Sequence, residues 1–181
     1  MATFVLLHGA GSDSWYWHLV EPELRARGHE TVAVDLPCGD DDAGLAEYTD
    51  TVVEAVGGAT DVVLVAQSMA GFTAPLVCER VPVALMVLVA AMVPAPGERL
   101  GDWWANTGHQ MPAGDAVDVF LHDVPAEIAE ESVDHVRDQS GTPFEEVWPL
   151  AAWPAVATRF LLCRDDRFFP PDFLRRVVRD R

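Results

Sequence analysis

Ser68 stands in the stretch VVLVAQSMAG (62–71), where an apolar run ends in a hydroxyl set among small residues. A sharp strand-to-helix turn pushes such a serine into strained backbone geometry and exposes its oxygen, and the turn needs small neighbours two residues before and after it. Ala66 and Ala70 supply them, with Gly71 beyond, so the pattern is A-x-S-x-A, a relaxed form of G-x-S-x-G. Alone, this pattern also fits an ordinary loop hydroxyl. Its place, after a β-rich run and before a helix-like segment, favours a nucleophile. A second piece is HGAGSDSW (8–15). Glycine after a strand lets the backbone turn and aim amides at a developing oxyanion, and the amide of Met69 would be the other donor. Ala10 is the expected first donor, and Gly9 is the glycine that shapes the loop facing the substrate. His8 is expected to brace this loop rather than to act as a base.

These residues need elements to hold them. The segments TFVLLH (3–8), ETVAVDL (30–36), DVVLVAQ (61–67), VALMVLVA (83–90) and TRFLLC (158–163) read as buried strands. Helical patterns at 14–27, 43–56, 70–81 and 171–180 alternate with them, and a weaker amphipathic piece spans 125–139. Strands alternating with helices predict an α/β fold, a doubly wound and mostly parallel sheet with right-handed crossovers. The periodicity breaks after the fourth strand, which predicts an inserted helical cap at 94–152. The core then divides into an N-terminal part (1–93) and a C-terminal part (153–181). Ligand sites in such sheets lie at the carboxyl ends of the strands. Here those ends carry His8-Gly9-Ala10, Asp35, Gln67-Ser68-Met69 and Asp165-Asp166. Within the cap, Trp103, Trp104, Phe120 and Leu121 are expected to line an apolar pocket, with plain packing onto the core as the alternative.

Composition narrows the chemistry. The formal net charge of −17 disfavours nucleic acid and anionic membranes as partners. All twelve basic residues are arginines. The longest apolar run, 83–93, is too short to span a bilayer, which needs about 20 residues, and no targeting segment opens the chain, so a cytoplasmic location is expected. Three widely spaced cysteines form no C-x-x-C pair and read as buried free thiols. Neither a metal nor a cofactor is expected. There is no G-x-G-x-x-G or Walker pattern and no basic cluster at the strand ends to suggest phosphate. The expected partner is a small-molecule ester, with a homodimer allowed for.

The run FVLLHGAGSDSWYWHLVEPELRARGHETVAVDLP (4–37), followed by the serine turn, resembles the α/β-hydrolase superfamily. Within it the likeness is to the small plant-type methylesterase and hydroxynitrile-lyase group and its bacterial esterase relatives. The H-G-A and W-x-W runs, the segment GHETVAVDL (28–36) and the serine turn carry it. The resemblance implies a serine–acid–histidine triad in that chain order. FLLCRDDRFFPPDF (160–173) fits the acid's loop, and Asp166, four residues before Pro170, has the family's spacing; Asp165 is the alternative.

The family's histidine follows one more strand beyond the acid, in a Gly-His context. This chain instead has His8, His18, His29, His109, His122 and His135. The expectation is a fragment whose histidine lies beyond Arg181, nearly inactive by itself. The implied activity is serine carboxyl-ester hydrolysis of a small, fairly apolar ester. A hydroxynitrile lyase or another non-hydrolytic enzyme of this fold is one rival, weakened because the lyases use a lysine. A catalytically dead ligand-binding member is the other.

Overall fold

In the computed structural model, which describes residues 1–181, five strands form one parallel sheet: β1 (Thr3–Leu7), β2 (Glu30–Val34), β3 (Val62–Gln67), β4 (Leu85–Val89) and β5 (Thr158–Leu161). Their order is β2-β1-β3-β4-β5. Leu7 pairs with both Val34 and Ala66, and Gln67 pairs with Val89, so the carboxyl ends of β1, β2, β3 and β4 finish at one level. Seven α-helices accompany them: α1 (Val20–Ala26), α2 (Leu45–Val56), α3 (Ala74–Cys78), α4 (Trp103–Thr107), α5 (Ala126–Ser132), α6 (Thr142–Glu145) and α7 (Pro171–Asp180). None is long and apolar enough to cross a membrane.

The two sheet faces differ. Val5, Leu7, Leu64, Ala66, Met86 and Leu88 join the main core beneath Tyr48 and Val52 of α2, Val77 of α3, and Leu174 and Val177 of α7. The opposite face buries only Leu6, Val63 and Val65 with Trp17, and its Phe4, Leu85, Val87 and Val89 are half-covered. β4 is continuously apolar, yet it alternates buried and half-buried side chains.

Two expected helices are broken, each at a proline. The 14–27 segment divides into a 3-10 turn (Ser14–Trp17) and α1. Pro22 lacks an N–H and clashes with the carbonyl four residues back, so it is tolerated only in a first turn; α1 therefore begins at Val20. Likewise the 70–81 segment is a 3-10 turn (Ser68–Gly71) followed by α3, whose second residue is Pro75. The amphipathic piece at 125–139 is helical only through α5 and a short 3-10 turn ending at His135.

Residues between β4 and β5 hold α4, a π-type turn (Val117–Leu121), α5 and α6. Both ends of this segment are welded to the core. Trp148 is buried, its indole N–H donating to the Phe72 carbonyl at 3.0 Å and its backbone N–H to the Glu98 carbonyl at 2.8 Å. Glu146 reaches back to accept the Leu45 N–H at 2.7 Å. It thereby caps α2, whose preceding residue, Gly44, has no side chain to do so. The thiols are not uniformly buried as expected: Cys38 is buried, but Cys78 is half-buried and Cys163 exposed. Burial pushes the Cys78 thiol up to about 12, so it stays protonated and inert.

Glu98 and Arg181 form a buried ion pair at the root of the same segment. The Arg181 guanidinium donates to both carboxylate oxygens, and the Asn106 amide (2.9 Å) and Ala95 N–H (3.1 Å) add to it. Burial alone would raise the Glu98 carboxyl, but these donors outweigh it and hold the group below the usual glutamate range. Its contribution to stability is therefore present above the unfolded value of about 4.3 and is lost as pH falls through the lower folded value. Glu98→Gln is expected to flatten the acid limb of stability against pH, measured by urea unfolding at a series of pH values. An unchanged acid limb would remove the pair from the account.

Candidate active site

At the end of β3 the chain turns abruptly. Ser68 has φ +52°, in the left-handed region that L-residues enter at a cost of roughly 1–2 kcal/mol. The surroundings hold it there. Its carbonyl accepts the Met92 N–H at 2.9 Å, which ties the turn to the segment after β4. Gly71 packs so closely on that segment that a Cβ would collide with the Met92 carbonyl oxygen and lie 3.2 Å from the Ala91 Cβ. Sequence reasoning placed the need for small residues at Ala66 and Ala70; the backbone approach falls one residue later. The signal was the glycine itself, next to the pattern.

The loop after β1 presses on the serine from the other side. A Cβ at Gly9 would sit 2.9 Å from the Ser68 Cβ and would collide with the Gln67 side chain, so only glycine allows this approach. The next residue, Ala10, is exposed, and its amide donates to no protein acceptor. Met69 buries its side chain, and its amide opens the turn after Ser68, where N–H groups have no acceptor within the turn.

His8 has both ring nitrogens engaged by backbone. Nε2 accepts the Leu36 N–H at 3.0 Å, which leaves the proton on Nδ1 to donate to the Gly9 carbonyl at 2.8 Å. Burial holds this imidazole below its usual range, so it is a neutral brace and not a free base. Further along, Gly11 is held by the Gln139 side chain, which accepts its N–H at 3.2 Å, and by the Arg137 N–H on its carbonyl at 2.9 Å.

Asp166 lies half-buried on the loop between β5 and α7. Its Oδ1 accepts the N–H groups of Phe168 (2.9 Å) and Phe169 (2.7 Å). Desolvation raises this carboxyl above the ordinary aspartate range, although those amides and the nearby His122 oppose the shift. Asp165 is exposed and offers only its carbonyl, to the His122 ring at 3.1 Å.

The other histidines also have contacts away from Ser68. His18 and His135 stack on the two faces of Trp15, with ring centroids at 4.2 and 4.4 Å, and His135 also bonds Asp13. His29 lies against Phe4. No histidine hydrogen-bonds Ser68.

The four cap residues fare differently. Trp103 is fully buried, its indole N–H on the Val93 carbonyl at 3.0 Å, so it belongs to the core and does not face a pocket. The tryptophan falls where the segment rejoins the core, in keeping with the packing alternative to a pocket role. Trp104 is half-buried among His109, Phe168 and Phe169. Leu121 is half-buried. Phe120 is exposed and joins Met111, Val119 and Phe168 around an apolar cavity of about 220 Å³. A larger cavity of about 520 Å³ lies beside Asp13, Asp35, Asp40 and Arg137, not over Ser68. Its ionic walls make it a poor seat for a neutral, apolar group.

A strained serine at a strand end, a glycine loop pressed on it and a carboxylate two strands away match a known family. Residues 4–181 fit the family model described as the alpha/beta hydrolase family, and the chain belongs to that family. It is 38% identical over 110 residues to a probable esterase, PIR7A, of Oryza sativa subsp. japonica, covering 54% of this chain and 42% of that one. It is also 38% identical over 104 residues to methylesterase 7 of Arabidopsis thaliana, covering 50% of this chain and 40% of that one. The chain thus spans about two-fifths of the length of the curated relatives it matches. Among solved structures, polyneuridine aldehyde esterase superposes with a TM-score of 0.82 at 21% identity, over 99% of this chain and 87% of that one. The Arabidopsis methylesterase MES16 gives a TM-score of 0.77 at 17% identity, over 99% and 85%. At those identities the likeness is one of fold.

Proposed function

We propose that this protein is a serine carboxyl-ester hydrolase acting on a small, neutral, fairly apolar ester through an acyl-enzyme. The observation that carries the proposal is Ser68 held at φ +52° with Gly9 pressed against its side chain. A strained hydroxyl facing a loop with a free amide is what acyl transfer requires. Ser68 Oγ attacks the ester carbonyl, and the amides of Ala10 and Met69 receive the oxyanion. The alcohol leaves with a proton, and water then releases the acid. Asp166 orients the imidazole that carries the proton between Ser68, the leaving alcohol and the incoming water.

That imidazole is not one of the six in these 181 residues, since each is engaged elsewhere. The 181 residues alone should therefore show only the slow turnover that oxyanion and binding effects allow. The apolar cavity walled by Met111 and Phe120 is lined by neither Ser68 nor the Gly9 loop, so the support for the reaction class comes from the plant relatives named esterases. The test is p-nitrophenyl acetate hydrolysis by the protein expressed from its complete reading frame, beside a Ser68→Ala variant. Equal rates in the two would overturn the proposal.

A further inference from the structure

The loop that carries Asp166 is anchored beyond the acid by Phe169, which is buried in the core, but the stretch around the acid itself has little burial to fix it. Leu161 at the end of β5, Cys163, Arg164, Asp165 and Arg167 are all exposed. The bonds from Asp166 to the Phe168 and Phe169 amides fix the carboxylate within its own loop, but they do not tie that loop to the rest of the protein. A triad acid must be held within about 0.5 Å of its working position.

The hydrogen bonds that tie the loop to the rest of the protein near the acid come from the segment between β4 and β5. The ring of His109, just after α4, donates from Nε2 to the Phe168 carbonyl at 2.7 Å. The ring of His122, just after the π-type turn, donates from Nε2 to the Asp165 carbonyl at 3.1 Å. Two imidazole N–H groups thus hold the backbone on either side of Asp166. Arg167 adds a bond in the opposite sense, to the Asp118 carbonyl at 2.7 Å.

His109 is held firmly enough to act as a fixed post. Its ring packs against Trp104, Phe168, Phe169 and Phe173, with centroids 5.1 to 5.3 Å away. Donating through Nε2 leaves Nδ1 as an acceptor, and that atom is buried with no partner. An unsatisfied buried acceptor is unfavourable, and an apolar side chain would fill this aromatic site without that cost. What an apolar side chain cannot supply is the N–H on the Phe168 carbonyl.

Resting on the proposal that Asp166 is the triad acid, we infer that His109 and His122 are positioning residues that clamp the Asp166 loop through its Phe168 and Asp165 carbonyls. Neither touches substrate. They couple the placement of the acid to the segment between β4 and β5, so their loss should act on the chemical step more than on substrate binding.

The experiment compares His109→Leu with His109→Gln in protein expressed from its complete reading frame. The glutamine retains an N–H donor and the leucine does not. His109→Leu is expected to lower kcat for p-nitrophenyl acetate by about 10- to 100-fold, with KM within about two-fold, and His109→Gln to recover most of the loss. A second readout does not depend on catalysis: hydrogen exchange at the Phe168 and Phe169 amides should speed up about ten-fold in His109→Leu and return in His109→Gln. Unchanged exchange in His109→Leu would overturn the clamp, as would a glutamine variant no better than the leucine. Full turnover in Asp166→Asn would instead remove the acid assignment, and the exchange rates would still decide the clamp.

Discussion

In protein expressed from its complete reading frame, replacing Ser68 by alanine is expected to lower ester turnover by on the order of 10⁴- to 10⁶-fold, the range seen when a serine nucleophile is removed and only oxyanion and binding effects remain. Stability should not fall with it. The Ser68 backbone sits at φ +52°, and its side chain is only half-buried, so no large apolar contact is lost. Glycine enters the left-handed region without the Cβ clash, so Ser68→Gly should be about 1 kcal/mol more stable than the serine protein while being equally inactive. Initial rates and urea midpoints measured on the three proteins separate the cases. A hydroxyl that merely supports the loop would show unchanged rates, or a loss of stability in parallel with activity. Activity lost while stability is gained marks strain retained for chemistry.

Gly71→Ala should have the largest effect on folding. A methyl group there meets the Met92 carbonyl oxygen, which is backbone and cannot rotate away as a long side chain would. The same segment donates the Met92 N–H to the Ser68 carbonyl, so any shift that relieves the clash also loosens the serine turn. Overpacking of this kind is expected to cost about 3 kcal/mol. It should appear as a lower urea midpoint with an unchanged slope. A midpoint matching that of the unsubstituted protein would mean that the approach of the turn to the segment after β4 is looser than described.

The strand ends were legible from local pattern. β-rich apolar runs closed by Gly9 or by Ser68 are short-range signals, and placing Ser68, the glycine loop and Asp166 at strand ends needed nothing more. What could not be read depends on contacts between distant residues. The 14–27 segment reads as one helix, and its division ahead of Pro22 follows from where a proline is tolerated. Trp103 and Trp104 are adjacent and alike in sequence, yet one is core and the other half-buried, because the fold determines where the segment rejoins the sheet. Glu146 capping α2 links residues 101 positions apart. The roles of His109 and His122 rest on carbonyls 59 and 43 residues away, and backbone acceptors leave no mark in the sequence.

The central claim is that Ser68 Oγ forms the covalent intermediate. Its most direct test is reaction with diisopropyl fluorophosphate, in which a serine oxygen bonds to phosphorus and fluoride leaves. Protein expressed from its complete reading frame is inactivated, digested and mapped by mass spectrometry. One phosphoryl adduct per molecule on the peptide containing Ser68, absent from Ser68→Ala, is the predicted result. Inactivation with the adduct on any other residue, or with none on Ser68, would contradict it.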